Sequence, residues 1–267
     1  MNLPMSFSNL FLFIYMKEYK IIISFFVIVT LTACGSGSTV PGTTDSIPGT
    51  VKIGKQIWTT KNLDVSTYRN GDTIPQVSDD NTWNDLTTGA WCYYAKDQNE
   101  DKEDTIFGKL YNGYAVNDPR GLAPIGYRIP SDDEWIGLMN FIGGTWMLNE
   151  NILLKDVAVK LMGKVDTAGG VYKQYRWWWW NNYGTNESGF SGLPGGLRFS
   201  NGKFEDAGHF GVWWSSTKDG LTNNWIFRLS SDRFERVGKS NNDNDGLANL
   251  YDIHGLQMGY SVRLIKD

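Results

Sequence analysis

The sequence predicts an α+β domain with two helices, a largely antiparallel sheet and long loops. Three observations lead to this fold class. Helix-type spacing of apolar residues is confined to two stretches between residues 131 and 162. Short strand-like segments separated by turn residues occupy the chain beyond residue 170. No repeated unit of strand, helix and strand accompanies them, so a parallel α/β sheet is not expected.

The first 33 residues have the features of an export signal. Lys17 and Lys20 form a short basic region ahead of the apolar run from Ile21 to Leu31. That run is shorter than the roughly 18 apolar residues that a membrane-spanning helix needs, and it has the length of a signal-peptide core. Met16 is an alternative start, because "MKEYK" opens a conventional basic region.

A cysteine follows the apolar run directly. The phrase "LTAC" resembles the lipobox of bacterial lipoproteins, which implies that Cys34 is lipidated and becomes the mature N-terminus at an outer membrane, on its periplasmic or cell-surface face. An ordinary secretory signal with an incidental cysteine is the alternative. After Cys34, residues up to 49 are mostly Gly, Ser, Thr and Pro, so 34–49 are predicted to form a lipidated, flexible tether.

Charge and cysteine count narrow the class of protein. Removal of residues 1–33 takes away two lysines and one glutamate, which changes the net charge from −4 to −5, and no basic tract remains for nucleic acid. With Cys34 lipidated, Cys92 has no disulfide partner, so the domain at 50–267 must be stabilised by its own core. Cys92 lies in an aromatic stretch and is interpreted as a small buried hydrophobe, not a nucleophile.

The domain is predicted to begin with a tight hairpin. The segments 51–53 and 56–58 flank Gly54 and Lys55, residues suited to a two-residue turn. A turn-rich stretch then leads to a strand in "AWCYYA", residues 90–95. The acidic segment 97–104 is expected to be a solvated excursion.

Two helices are predicted in the middle of the chain. Ser131 is a good N-cap for the first, Glu134 completes a capping box and Gly143 ends the helix. Its buried face is expected to consist of Trp135, Leu138, Met139 and Ile142. The second helix is predicted over Asn151–Met162, where the same spacing is repeated by Leu154, Val157, Ala158 and Leu161.

The remaining elements are predicted as strands. A hairpin is expected around 200–202, and "VWWSS", "NWIFRLS" and "RFERV" are further strands. The C-terminal "GYSVRLIKD" alternates two sets of residues, which predicts a strand with one buried face carrying Tyr260, Val262 and Leu264.

Seven phrases of the chain occur together in one known family and in the same order. They are "VKIGKQIWTTKNLDV", "GAWCYYAKD", "FGKLYNGYAV", "APIGYRIPSDDEW", "GTNESGFSGLPGGLR", "GVWWSST" and "GYSVRLIKD". The chain from about residue 50 to its end resembles the Fibrobacter succinogenes major paralogous domain of exported proteins and lipoproteins. This family is similar to the formylglycine-generating-enzyme and C-type-lectin-like folds, which implies a C-type-lectin-like domain but no particular activity. Arg198 and Arg263 lie within these phrases and are predicted to tie loops together by charge-assisted hydrogen bonds.

A calcium loop is one candidate site. In "NNDNDGLANLYD", oxygen-bearing side chains alternate before Gly246, which is how a calcium loop is built, although an aspartate stands where such a loop ends in glutamate. The candidate ligands are Asn241, Asp243, Asp245 and Asp252. A looser set is formed by Asp97, Asn99, Asp101 and Glu103. A solvated polar turn is the alternative for both, and no cofactor other than calcium is expected.

Tryptophans are the other candidate binding residues. In "RWWWWNNYG", an extended chain would direct Trp177 and Trp179 to one side and Trp178 and Trp180 to the other, so that one pair packs and the other binds. In "VWWSS", one of the two tryptophans is expected to pack inward while the other lies at the surface. Support of the core by the pair is one interpretation, and a place for Trp214 in the ligand surface is the other.

No catalytic set can be assembled from the sequence. The chain has two histidines, neither at metal-ligand spacing from another histidine, and no nucleophile-elbow motif. The leading hypothesis is a non-catalytic, lipid-anchored binding module that recognises a glycan or a protein through its loops. A structural or assembly component of an envelope complex is the alternative, and an enzyme with an unrecognised site comes third.

Overall fold

The computed structural model describes residues 49–94, 104–143, 152–163, 184–220, 223–230, 233–237 and 255–267. These residues contain thirteen strands and four α-helices. The strands are β1 (Thr50–Ile53), β2 (Gln56–Thr59), β3 (Trp91–Cys92), β4 (Leu110–Asn112), β5 (Tyr127–Arg128), β6 (Ile152–Leu154), β7 (Gly195–Arg198), β8 (Phe204–Ala207), β9 (Gly211–Asp219), β10 (Asn223–Leu229), β11 (Arg233–Val237), β12 (Gly259–Tyr260) and β13 (Ile265–Lys266). The helices are α1 (Asp80–Asn84), α2 (Gly113–Val116), α3 (Asp132–Phe141) and α4 (Lys155–Leu161), and Asp104–Phe107 form a 3₁₀ turn.

The strands form two sheets. The smaller sheet has the order β1-β2-β13-β5, so the last strand of the chain lies beside one of the first. The larger sheet has the order β3-β4-β12-β7-β9-β10-β11-β6, and β8 pairs with β7. The described strand pairs are antiparallel except β7 and β9, which are parallel. The long central strands β9 and β10 therefore have neighbours on both sides.

The described chain is mainly β, and the predicted C-type-lectin-like α+β class is wrong. Of the two predicted helices, α3 has ten residues and α4 has seven. The first turn predicted for the second helix is instead strand β6, which pairs antiparallel with β11 at the edge of the larger sheet. Pairing with β11 satisfies the backbone hydrogen-bonding groups of residues 152–154. This contact with a distant part of the chain overrides the helix-type spacing of the apolar residues.

Several local predictions are confirmed. The hairpin of β1 and β2 turns at Gly54, whose φ is +61°. Both hydrogen bonds of the capping box join Ser131 and Glu134 at the start of α3. Trp135, Leu138 and Met139 are fully buried on the inner face of that helix. The second predicted hairpin joins β7 and β8.

The C-terminal segment differs from its prediction. It forms two short strands, β12 and β13, in different sheets, and does not form one strand with a single buried face. Ser261, Arg263 and Ile265 are as deeply buried as Tyr260, Val262 and Leu264. The segment is buried on both sides because it passes from the larger sheet to the smaller one, where both faces are covered.

An aromatic cluster centred on Trp135 fills the space beneath α3. The ring of Trp135 stacks on Phe227 at 5.0 Å and lies 4.7 Å from Trp58, which joins residues of the larger sheet, the helix and the smaller sheet. Trp213 and Phe190 pack edge to face at 5.6 Å in the same cluster. Within the described ranges, no helix is both long enough and apolar enough to cross a membrane.

Candidate functional site

The tryptophan run Trp177–Trp180 lies outside the described residues, but the chain on either side of it is described. The amide of Gly163 donates to the carbonyl of Gly192 at 2.8 Å, and the amide of Thr185 donates to the carbonyl of Val159 at 2.8 Å. The described residues on the two sides of 164–183 therefore lie together at one place in the fold. We call residues 159–163 and 184–192, which hold the two ends together, the segment base.

The two halves of the segment base approach each other so closely that glycine is needed at positions 184 and 192. A Cβ atom on Gly184 would lie 2.4 Å from the Cβ of Met162, and one on Gly192 would lie 2.9 Å from a methyl carbon of Leu229. Larger residues would push the two ends of the segment apart or displace the strand beneath them. The glycines in "GTNESGFSG" thus have a packing role.

Side-chain hydrogen bonds fix the shape of the second half of the segment base. Asn186 and Ser191 both have left-handed backbone conformations, with φ of +51° and +56°. Asn186 Nδ2 donates to Ser191 Oγ at 2.9 Å, and the amide of Ser191 donates to Asn186 Oδ1 at 2.8 Å. Ser188 Oγ donates to the carbonyl of Lys160 at 2.7 Å, which ties this loop to α4.

Arg263 holds the segment base from beneath. Its side chain is buried and donates to the carbonyls of Phe190, Ser191 and Thr59 at 2.6 to 2.9 Å, and to Asn62 Oδ1 at 2.7 Å. Its guanidinium carbon lies 4.3 Å from the centre of the Phe190 ring. Burial lowers the pKa of Arg263 to about 9, so the group remains charged at neutral pH. The prediction that Arg263 ties loops together is confirmed.

Asn62 completes this arrangement, and sequence reasoning missed it. Its Oδ1 accepts from Trp213 Nε1 at 2.8 Å as well as from Arg263. Its Nδ2 donates to the carbonyl of Phe107 and to Ser261 Oγ. An asparagine just after a strand is typical of a turn, so nothing in the phrase "TTKNLD" distinguishes a buried hub from a turn residue.

Arg198 forms a second clamp of the same kind, as predicted. Its guanidinium donates to the carbonyls of Val77, Ser78 and Gly202 at 2.6 to 2.8 Å and to Asp80 Oδ1 at 3.1 Å. The rings of Trp83 and Phe204 lie over it at 4.4 and 4.7 Å. This clamp joins the hairpin of β7 and β8 to the loop that precedes α1.

Both members of the Trp213–Trp214 pair are buried, with at most 2% of either side chain exposed. The prediction that one of them lies at the surface is therefore wrong. Trp213 belongs to one hydrophobic core cluster and Trp214 to another, so both faces of β9 are covered. Trp214 Nε1 donates to the carbonyl of Tyr111 at 2.8 Å, and its ring packs on Tyr260 at 4.7 Å. Trp214 is therefore too deeply buried to contribute to a ligand surface.

The other predicted site residues fall into two groups. The lipidation residue Cys34, the calcium set Asn241, Asp243, Asp245 and Asp252, and the looser set Asp97, Asn99, Asp101 and Glu103 lie outside the described residues. Cys92 is described and buried as predicted, and burial raises the pKa of its thiol to about 12. In the part of the chain that the structure describes, no three His, Cys, Asp or Glu side chains are grouped to hold a metal ion.

Comparison with known proteins gives one match. The model of the Fibrobacter succinogenes major domain matches residues 51–266, which include every described element from β2 to β12. This confirms the resemblance found in the ordered phrases. Searches of the curated proteins and of the solved structures returned no match.

Proposed function

We propose that this chain, which belongs to the Fibrobacter succinogenes major domain family, is a lipid-anchored binding module of the cell envelope. In this proposal it recognises a glycan or a protein through the segment that carries Trp177–Trp180, and it carries out no catalysis. In the same proposal the calcium loop assists binding, because its residues have the oxygen ligands that calcium prefers. Family membership itself supplies no activity, so support comes from the residues.

The closed segment base is the observation that carries the proposal. Binding residues are typically held on loops whose ends are fixed by a rigid scaffold. Here the two ends of residues 164–183 are joined by backbone hydrogen bonds, by the contact of Gly184 with Met162 and by Arg263 beneath. Four consecutive tryptophans within such a segment offer large apolar faces that can stack on sugar rings or on apolar side chains.

The surroundings of the two buried arginines and of Cys92 also fit a scaffold better than a reaction centre. The donors of Arg198 and Arg263 are directed at backbone carbonyls, where they fix loops. The thiol of Cys92 is buried and its pKa is raised to about 12, which disfavours the reactive thiolate.

Paired substitutions in the tryptophan run test the binding role. We expect Trp177→Ala with Trp179→Ala, or Trp178→Ala with Trp180→Ala, to weaken ligand binding at least tenfold without lowering the melting temperature, because one pair contacts ligand. Binding is measured on a broad glycan array and by pull-down from envelope extract. The matched control is Phe141→Ala, an aromatic side chain that is 64% exposed at the end of α3 and should leave binding unchanged.

Either of two results would count against this role. Loss of stability in both paired variants would place all four tryptophans in the core. Silence on the glycan array, with one protein retained specifically by the wild type and by both paired variants, would favour the structural or assembly role over ligand recognition by this segment.

Labelling with a radioactive fatty acid tests the anchor. We expect palmitate incorporation by the full chain in a bacterial host and its loss in Cys34→Ala, because the lipobox cysteine is the acceptor. Cys92→Ala is the control and should incorporate label normally, since its side chain is buried. Label that persists in Cys34→Ala would exclude lipidation at this residue.

A further inference from the structure

Three asparagine–glycine pairs occur in the chain, and the fold gives them different surroundings. They are Asn70–Gly71, Asn112–Gly113 and Asn201–Gly202. Glycine has no Cβ atom, so its amide nitrogen can closely approach the side-chain carbonyl carbon of the asparagine before it. Attack by that nitrogen expels the side-chain amide as ammonia and modifies the asparagine without an enzyme. Its rate depends on how freely the peptide between the two residues can rotate.

Two of the pairs lie in turns of the same shape. In residues 68–72, the amide of the first residue donates to the carbonyl of the last at 2.8 Å, and the glycine amide donates to the carbonyl of the first at 2.9 Å. In residues 199–203, the same two bonds measure 2.8 and 3.0 Å. In both turns the asparagine Oδ1 accepts from the amide of the last residue at 3.0 Å, and the glycine φ is +92° in one and +86° in the other. These shared bonds therefore do not distinguish the two asparagines.

The two turns differ in what surrounds the glycine. Gly71 is exposed, and no atom of the described residues would lie within 4 Å of a Cβ added to it. Gly202 is buried, and a Cβ added to it would lie 2.4 Å from the Cα atom of Asp80. The carbonyl of Gly202 also accepts from Arg198 Nε at 2.7 Å. The peptide before Gly202 is thus held on two sides, whereas the space beside Gly71 is open.

The third pair is restrained by the core. Asn112 is fully buried, and its Oδ1 accepts from the amides of Ala90 and Ala115 at 3.0 and 2.9 Å. A Cβ atom on Gly113 would lie 2.7 Å from a methyl carbon of Leu256, whose carbonyl accepts from the Gly113 amide at 2.8 Å. Attack at Asn112 would require buried hydrogen bonds to break, which is costly.

We propose that Asn70 is a site of spontaneous deamidation and that the surroundings of Asn112 and Asn201 protect them from the same reaction. The amide nitrogen of Gly71 gives up its proton and forms a bond to Cγ of Asn70. The Cγ–Nδ2 bond breaks, and ammonia leaves with that proton. Water then opens the resulting succinimide ring at either carbonyl, which yields aspartate or isoaspartate and makes the turn more negative by one charge. The site is independent of the tryptophan segment and of its ligand.

The reaction also changes the contacts of Asp72. Its Oδ2 accepts from Asn70 Nδ2 at 3.0 Å, in an exposed part of the turn where water can replace the bond. Arg120 Nη1 lies 3.0 Å from the same oxygen. The product replaces a hydrogen-bond donor with a second carboxylate, so Asp72 is repelled by position 70 while Arg120 continues to attract it.

Peptide mapping by mass spectrometry of the full chain, purified in detergent, tests the proposal. During incubation in mildly alkaline buffer, the peptide with Asn70 should gain the mass of deamidation at least about tenfold faster than the peptides with Asn112 and Asn201. At those two sites several contacts must break first, and a tenfold ratio of rates corresponds to about 1.4 kcal/mol. Isoelectric focusing should show the more acidic product accumulating at the rate of the Asn70 peptide.

Unfolding in guanidinium chloride is the control for local sequence. The three peptides contain the same asparagine–glycine pair, so their rates should become similar once the fold is lost. Asn112 and Asn201 should accelerate most, because their restraints come from distant parts of the chain.

Arg198→Met tests why Asn201 is protected. Arg198 binds the carbonyl of Gly202 and also Asp80, which covers this glycine. Its removal loosens both restraints, so the rate at Asn201 should rise severalfold toward that at Asn70. Asn70 should keep its wild-type rate and serves as the internal reference.

The proposal is overturned if Asn201 is modified as fast as Asn70 in the folded chain, or if Asn70 stays intact for as long as the unfolded chain takes to convert. An unchanged rate at Asn201 in Arg198→Met also rejects it, because the surroundings of the glycine would then not set the order. Should Arg198→Met fail to fold, the comparison of folded and unfolded wild type decides the matter. A silent glycan array would leave all of these readouts intact, so failure of the proposed function is distinguishable from failure of this proposal.

Discussion

The two buried arginine clamps use the same chemistry in different surroundings. Arg263 lies between the smaller sheet and the segment base, and two of the residues whose carbonyls it binds, Thr59 and Phe190, are at most 1% exposed. Arg198 is just as buried, but its partners Ser78 and Asp80 are exposed at the rim of the domain. One clamp is therefore sealed from water and the other borders it.

The two clamps differ in whether the carbonyl groups can find another hydrogen-bond donor after the arginine is removed. Carbonyls that lose a donor in the interior stay unsatisfied, whereas carbonyls at the rim can bind water instead. Arg263 also has no salt-bridged carboxylate among the described residues, so its stabilising effect comes from oriented carbonyl and amide dipoles. The two clamps thus differ both in exposure to water and in the presence of a counter-ion, and a variant of Asp80 separates the two roles.

Removal of the sealed clamp should have the larger effect. We expect Arg263→Met to lower the free energy of unfolding by about 4 kcal/mol, because several buried oxygens lose their donor at once. Urea denaturation followed by tryptophan fluorescence measures this. Hydrogen exchange should also show the loss concentrated at Phe190 and Ser191, whose carbonyls Arg263 binds.

Two further variants bracket that result. Arg263→Lys keeps the positive charge but lacks the planar guanidinium with its several donors. Its free energy of unfolding is therefore expected to lie between those of the wild type and Arg263→Met. Arg128→Met is the surface control, because this arginine pairs with Glu134 while its side chain is 44% exposed, and its loss should cost less than about 1 kcal/mol. A loss in Arg263→Met no larger than in Arg128→Met would refute the clamp.

Local structure was predictable from the sequence where short-range chemistry decides it. Ser131 and Glu134 satisfy the amides at the start of α3, and this requires only residues three apart. The turn at Gly54 is equally local. Fold class was not predictable in this way, because the choice between helix and strand at residues 152–154 depends on β11, about 80 residues further along the chain.

The candidate site was predictable in part for the same reason. Arginines within the family phrases indicated loop clamps, and both clamps are found. The burial of Trp214 could not be read from its phrase, since an alternating strand has one exposed face only if no layer covers that face. The partnership of Asn62 with Arg263 joins residues 201 positions apart, beyond the reach of any local pattern.

Removal of the rim clamp should have the smaller effect. We expect Arg198→Met to lower the free energy of unfolding by about 2 kcal/mol, because the carbonyls of Val77 and Ser78 become accessible to water when the guanidinium is gone. Urea denaturation under the same conditions gives the comparison with Arg263→Met.

The counter-ion can be tested within the rim clamp itself. Asp80→Asn removes the negative charge but keeps an oxygen that can accept from Arg198, and the Asp80 side chain is 51% exposed. A half-exposed ion pair contributes less than about 1 kcal/mol, so Asp80→Asn should cost much less than Arg198→Met. Equal losses in these two variants would mean that the ion pair stabilises the rim clamp. Arg198→Met could instead lower the free energy of unfolding as much as Arg263→Met does, with almost no effect of Asp80→Asn. That result would show that water does not replace the guanidinium at the rim. Burial of the arginine alone would then set the strength of both clamps.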